Sequence, residues 1–286
     1  MTKITLPPRP RVAVHKFSSC DGCQLAFLNA GDDLLTLAEQ VNFVHFAEAG
    51  ISAPIETDVD IAFVEGSIST REDETRIAVI REHSRHLIAI GACATSGGVQ
   101  ALRNIGHARG HARGQDRGQD WLAQIYPHPE LIDSLSAACP ISDYVRVDLE
   151  LWGCPVSGRQ VFAAITALLG HIAPKEHNDA LCLACKARGA ICVMVTRDEP
   201  CMGPLTRTGC GALCPEFGRA CYGCFGPSRN ANHLSWGARM QQSGISAESI
   251  VRRFHMINSG AQDCMDAGET WRGTCHKPHS DEPPTS

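Results

Sequence analysis

The chain has 286 residues, enough for one sizeable α/β domain and a smaller appendage. Its apolar share of 43% is ordinary for a globular protein, and a net charge of −5 argues against nucleic acid or an anionic membrane as partner. Fifteen cysteines are not ordinary; disulfide scaffolds are short and secreted, whereas the first eleven residues show neither an apolar signal core nor a twin-arginine pair, so reduced, metal-binding thiols in the cytoplasm are expected.

Residues 12–16 form a short apolar run that reads as a strand, and residues 24–39 carry apolar side chains at helical spacing. A second strand is expected at 61–64, a polar helix at 72–85 and a third strand at 87–90. Residues 107–120 read HARG-HARG-QDRG-QD, a tandem four-residue repeat with the composition of a solvated loop. A fourth strand is expected over 144–149, and a helix over 157–169 after Gly153-Cys154-Pro155. The apolar run of that helix, 161–169, is about half the length that crosses a bilayer, so no membrane anchor is expected. Strands alternating with helices predict an α/β fold with a doubly wound parallel sheet over residues 1–175.

After Pro174 the composition shifts. Between Cys182 and Pro227 stand eight cysteines and several glycines with almost no periodicity, a stretch that lacks the side chains for an apolar core of its own. Bound metal clusters would supply the missing stability. Residues 247–257 read as a helix and 276–286 as a disordered tail, which makes 176–286 a second, cysteine-rich unit.

Four cysteines sit where strands end. Cys20 and Cys23 follow the first strand in Ser19-Cys20-Asp21-Gly22-Cys23, Cys93 follows the third in Gly91-Ala92-Cys93-Ala94, and Cys154 precedes a helix. The carboxyl ends of parallel strands converge on one edge, so these thiols can meet there. Four thiolates suit zinc or a 4Fe–4S cluster, and the glycines let backbone N–H groups approach the sulfurs. A C-x2-C pair alone also fits a thioredoxin-like redox site. Cys139, before Pro140, competes with Cys154 for the fourth place, and the Gly-Cys-Pro context favours Cys154. Glu65, in Val64-Glu65-Gly66-Ser67, ends a strand on the same edge, where a carboxylate commonly caps a loop or helix.

The second set runs Cys182-x2-Cys185-x6-Cys192-x8-Cys201-x8-Cys210-x3-Cys214-x6-Cys221-x2-Cys224, with no histidine among them. Zinc ribbons expect two C-x2-C pairs about 15–20 residues apart; here 35 residues separate the outer pairs. Two zinc sites and two 4Fe–4S clusters both remain open, with the clusters preferred. The preferred partition gives Cys182, Cys185, Cys192 and Cys201 to one cluster and Cys210, Cys214, Cys221 and Cys224 to the other. Cys139, Cys264 and Cys275 are left over.

The stretches CDGCQLAFL, VEGSI, IGACATSGGVQALRN and GCPVSG resemble the proximal-cluster motifs of NiFe hydrogenase small subunits, relatives of a cluster-bearing subunit of respiratory complex I. The resemblance spans about residues 11–227. It implies a flavodoxin-like fold with a ferredoxin-like C-terminal segment, and a proximal cluster on Cys20, Cys23, Cys93 and Cys154. It also implies a separate large subunit carrying the NiFe centre with its cyanide and carbonyl ligands. Glu65 would face that subunit and could help relay protons. The stretches CLACKARGAIC, PCMGPLTRTGCGALCP and CYGCFGP resemble the small (delta) subunit of NAD(P)-linked hydrogenases, or sulfhydrogenases. By that resemblance the chain would carry three 4Fe–4S clusters in a cytoplasmic complex. Its partners would be the large subunit, iron–sulfur subunits and a diaphorase holding FAD and NAD(P). An F420-linked or heterodisulfide-linked hydrogenase small subunit is the alternative, and a zinc-stabilised interaction module is a third reading.

Overall fold

A computed structural model describes residues 9–105 and 120–274. The charged repeat up to residue 119, the C-terminal tail and Cys275 lie outside the described residues. Five strands, β1 (Arg11–Lys16), β2 (Asn42–Phe46), β3 (Val59–Glu65), β4 (Ser84–Ile90) and β5 (Leu149–Leu151), form a sheet in the order β2-β1-β3-β4-β5. Every pairing is parallel. This is the flavodoxin-like doubly wound order, whose switch point lies between β1 and β3.

Both faces of the sheet are covered, so its central strands are apolar throughout rather than alternating. On one face Val12, Val14, Phe63, Ile88 and Ile90 pack against α1 (Gly22–Leu28), α2 (Asp32–Gln40) and α6 (Gly158–Leu169) through Phe27, Leu37, Val161 and Ile165. On the other, Ala62, Val64, Leu87 and Ala89 meet Ile77 and Ile80 of α3 (Arg71–Glu82). Thr70 opens α3 with a capping box: its hydroxyl accepts the Asp73 N–H at 3.1 Å, and the Asp73 carboxylate accepts the Thr70 N–H at 3.1 Å. The short helices α4 (Gly91–Ser96) and α5 (Asp120–Ile125) complete this part.

Several boundaries differ from the sequence expectation. The helix expected over 24–39 is two helices, α1 and α2, because the chain turns at residues 29–31. β2, not anticipated, is an edge strand whose polar Asn42 and His45 obscure its pattern. The helix expected to reach residue 85 stops at Glu82, since Ser84 already pairs in β4. The fourth expected strand moves to Leu149–Leu151; ahead of it the Asp148 carboxylate accepts the Leu87 N–H at 2.8 Å and pairs with Arg81, which holds the chain out of the ladder.

The cysteine-rich stretch joins an apolar core that it does not build alone. It contains α7 (Leu181–Ala187), α8 (Val193–Thr196) and α9 (Leu213–Glu216), and three further helices follow: α10 (His233–Gln242), α11 (Ala247–His255) and α12 (Gln262–Thr274). Trp236, Met240, Phe254 and Trp271 from those helices bury Leu181, Val193, Met202 and Leu205. The apolar mass missing locally is thus supplied by sequence that comes later. Among the described residues no helix is long and apolar enough to cross a membrane.

Candidate metal centres

The carboxyl ends of β1, β4 and β5 bring the first group together. Cys20 and Cys23 sit at the start of α1, Cys93 in α4 directly after β4, and Cys154 just after β5. The Gly153 carbonyl accepts the Ala92 N–H at 2.7 Å, which ties the Cys93 turn to the Cys154 turn. The Val156 N–H points at the Cys23 sulfur at 3.4 Å. Burial pushes the Cys23 thiol well above its ordinary range, and the Glu65, Cys93 and Cys154 charges add to it. Burial lifts Cys93 to about 11, with Cys154 and Cys20 contributing. Cys154 rises through burial and then Cys20 and Glu65. The four thiols therefore sense one another. Gly91, at φ +84°, lets the backbone pass the Cys23 sulfur where any side chain would collide.

Cys139 does not join them. Its backbone bridges to Ile68, and its thiol is raised by burial and by Asp143, with the Tyr144 hydroxyl and Arg103 opposing. Glu65 is 2% exposed, and its two oxygens accept the N–H groups of Cys23 at 3.0 Å and Gln24 at 3.2 Å. Asp21, the residue at the N-cap of α1, makes no capping side-chain bond. Glu65 thus caps α1 from a neighbouring strand and fixes Cys23 through its backbone.

The eight later cysteines lie near one another in two neighbourhoods that meet at Cys201. Cys182, Cys185, Cys192 and Cys201 line one small, mostly apolar pocket with Ile191 and Val193. Burial raises Cys182 to about 11, with Cys201, Cys185 and Cys192 adding in that order. Burial raises Cys224 to about 12, followed by Cys210, Cys154 and Cys214. Cys221 rises to about 12 through burial, and Cys201 and Cys224 add to it. Cys201 stands between the groups, since its sulfur accepts the Cys221 N–H at 3.2 Å.

The spatial sequence of the groups is not their chain sequence. Cys154 is among the charges that raise the Cys224 thiol and Trp152 packs on Gly226, so the 210–224 stretch lies beside the strand-end group, and the 182–201 group lies beyond it through Cys201. Trp152 locks this junction, and sequence reasoning missed it. Its indole donates to Glu150 at 3.1 Å, lies under the Arg207 guanidinium at 4.6 Å, and touches Gly226 so closely that no Cβ would fit. The only sequence signal was an aromatic residue two positions before Cys154.

The donor set fits polynuclear iron–sulfur groups. All donors are thiols, all fourteen described cysteines are free of disulfides, and backbone N–H groups point at several sulfurs. Among the described residues no three Cys, His, Asp or Glu side chains close around a single metal ion. Binding requires thiolates, so the raised thiols would release protons as a metal group enters. Cys264 stands apart, buried against Trp152 and Ala261.

Comparison with known proteins adds relatives to this geometry. The family described as NADH ubiquinone oxidoreductase, 20 Kd subunit, matches residues 20–168. Sulfhydrogenase 2 subunit delta of Pyrococcus furiosus is 33% identical over 223 residues, 78% of this chain and 88% of that protein. A vhu subunit of the F420-non-reducing hydrogenase of Methanocaldococcus jannaschii is 28% identical over 269 residues, 87% of this chain and 93% of that protein. A crystal structure of an NAD+-reducing NiFe-hydrogenase in the H2-reduced state aligns with a TM-score of 0.50 and 30% identity, over 59% of this chain and 95% of that one.

Proposed function

The chain belongs to the NADH ubiquinone oxidoreductase 20 Kd subunit family as a small subunit of NiFe-hydrogenase type, and from that premise we propose that it relays electrons through three 4Fe–4S clusters between a partner's NiFe centre and an NAD(P)-reducing flavoprotein. The observation that supports this reading is the serial arrangement of three thiol groups, the first and second joined where Trp152 packs on Gly226 and the second and third where the Cys221 N–H reaches the Cys201 sulfur. A 4Fe–4S cluster, when bound, supplies reversible one-electron chemistry.

The chain's own residues hold and tune. Cys20, Cys23, Cys93 and Cys154 are assigned to the proximal cluster, Cys210, Cys214, Cys221 and Cys224 to a middle one, and Cys182, Cys185, Cys192 and Cys201 to an outer one. The functional division at about residue 175 follows, with the sheet carrying the first group and the cysteine-rich part the other two. Glu65 orients Cys23, and its occupied oxygens suit a positioning role better than a proton relay. Leu25, Val99 and Leu102, exposed on α1 and on the turn after α4, provide apolar surface beside the proximal group for the NiFe-bearing large subunit. Hydrogen oxidation or proton reduction belongs to that assembly.

NAD(P) as the acceptor rests on the sulfhydrogenase and NAD+-reducing relatives. A cytoplasmic location goes with the free thiols. The zinc-module reading is set aside in favour of the hydrogenase-type family and relatives that the chain matches. Co-purification with the large subunit tests the proposal. The expected product is brown, with about twelve iron and twelve sulfide per chain, and reduces NAD or NADP with H2. Colourless zinc-loaded protein would overturn it, and reduction of F420 but not NAD(P) would overturn the acceptor.

A further inference from the structure

Three residues beyond α11 the chain turns inward, and Asn258, only 4% exposed, is buried there. Both ends of its side-chain amide are taken by groups from distant parts of the chain. The Oδ1 atom accepts the Ser96 hydroxyl at 3.1 Å, and Nδ2 donates to the Gly223 carbonyl at 2.7 Å. A carbonyl can only accept, so the amide nitrogen must be the end that faces Gly223. Ser96 closes α4, three residues after Cys93, and Gly223 stands between Cys221 and Cys224. One side chain thus joins the helix of a strand-end thiol to the loop of two later thiols, 162 residues from the first partner and 35 from the second.

Each anchor is itself fixed. The Ser96 hydroxyl also faces the Ala92 carbonyl at 2.9 Å, so its single proton is shared and its direction along α4 is set. Gly260 lies so close to the Ser96 carbonyl that any Cβ there would collide with it. At the other anchor the Gly223 N–H points at the Cys221 sulfur at 3.3 Å, and the carbonyl that Asn258 holds belongs to the peptide leading into Cys224. Trp152 packing on Gly226 brings the two regions together, but hydrogen bonds add the direction that an apolar contact lacks. We propose that Asn258 is a positioning residue of the relay, setting the separation and orientation of the proximal and middle thiol groups and so the passage of an electron between them. One electron leaves the proximal group as the middle group gains it; no bond forms or breaks and no proton moves. The inference rests on the relay reading above and goes beyond it by assigning the spacing of two groups to one amide.

Electron paramagnetic resonance of the purified, dithionite-reduced hydrogenase complex tests the proposal, because neighbouring reduced clusters split each other's signals by an amount that falls steeply with separation. Asn258→Asp keeps the shape and the acceptor for Ser96 but sets an oxygen against the Gly223 carbonyl, whereas Ser96→Ala removes the other tie alone. Both are expected to shift the splitting between the proximal and middle signals while iron stays at about twelve per chain. The double variant should shift it no further than the larger single one, because breaking either end releases the same link. Asn232→Ala removes the side-chain cap of α10 and should lower the thermal midpoint without moving the splitting. Unchanged splitting in Ser96→Ala overturns the proposal, whether or not Asn258→Asp folds. An equal shift in Asn232→Ala overturns it as well, since general loosening would then be the cause. Wild-type complex without two interacting iron–sulfur signals would instead overturn the relay reading.

Discussion

Gly91 lies so close to the sulfur of Cys23 that a methyl group in its place would stand well inside van der Waals distance. Its φ of +84° adds a backbone penalty for any other residue. Gly91→Ala is therefore expected to expel the proximal cluster and leave the other two, lowering iron from about twelve to about eight per chain. Iron and sulfide analysis of the purified complex checks this; full iron content would mean that the Cys23 sulfur is not a ligand.

Glu65 should reveal its role through stability. Glu65→Ala leaves the buried N–H groups of Cys23 and Gln24 unpaired, at a cost of about 1–3 kcal/mol. Glu65→Gln retains one acceptor oxygen and should lie between the wild type and the alanine variant in thermal midpoint. A proton-relay role would give a different pattern, with H2 turnover abolished by Gln and the midpoint unchanged.

His15 sets a dependence on pH. Burial lowers its pKa to about 3, with His45, stacked 4.6 Å away, and Arg76 adding to the effect. It is neutral in the fold but gains a proton in the unfolded chain below about 6.5. The unfolded state then binds more protons, so stability is full above about pH 6.5 and falls as the pH drops toward 3, by up to about 1.4 kcal/mol per pH unit. His15→Leu should remove that slope. Urea midpoints of both proteins between about pH 7 and about pH 4 check the difference, since shared groups cancel.

The spare cysteines separate from the ligand groups. Cys154→Ser should lose the proximal iron, whereas Cys139→Ser should keep it, because Cys139 neighbours Tyr144 and Arg103 rather than the other sulfurs. Cys264→Ser should also keep all iron but lower stability by about 1–3 kcal/mol, since it buries a hydroxyl beside Trp152 and Ala261. Metal analysis and thermal unfolding of the three variants together decide it.

Much of the fold was legible because its cause is local. The apolar runs at β1, β3 and β4 and the periodicity of α3 and α6 announced a wound parallel sheet. β2 was hidden because an edge strand can carry Asn42 and His45 without penalty. The core around the cysteine-rich stretch was hidden because Trp236, Phe254 and Trp271, which bury it, come after it in the chain.

The amino-acid sequence alone determined which donors exist and how tightly each local set can close. Cys20 with Cys23, or Cys221 with Cys224, lie within one turn whatever the fold does. Only the tertiary structure decided that Cys154 rather than Cys139 lies by Cys93, that Glu65 reaches across to cap α1, and that Gly226 packs on Trp152 beside the Cys154 turn. The physical reason is reach: spacing along a chain bounds how far two atoms can separate, but strand order and the packing of Trp152 against Gly226 select which distant atoms meet.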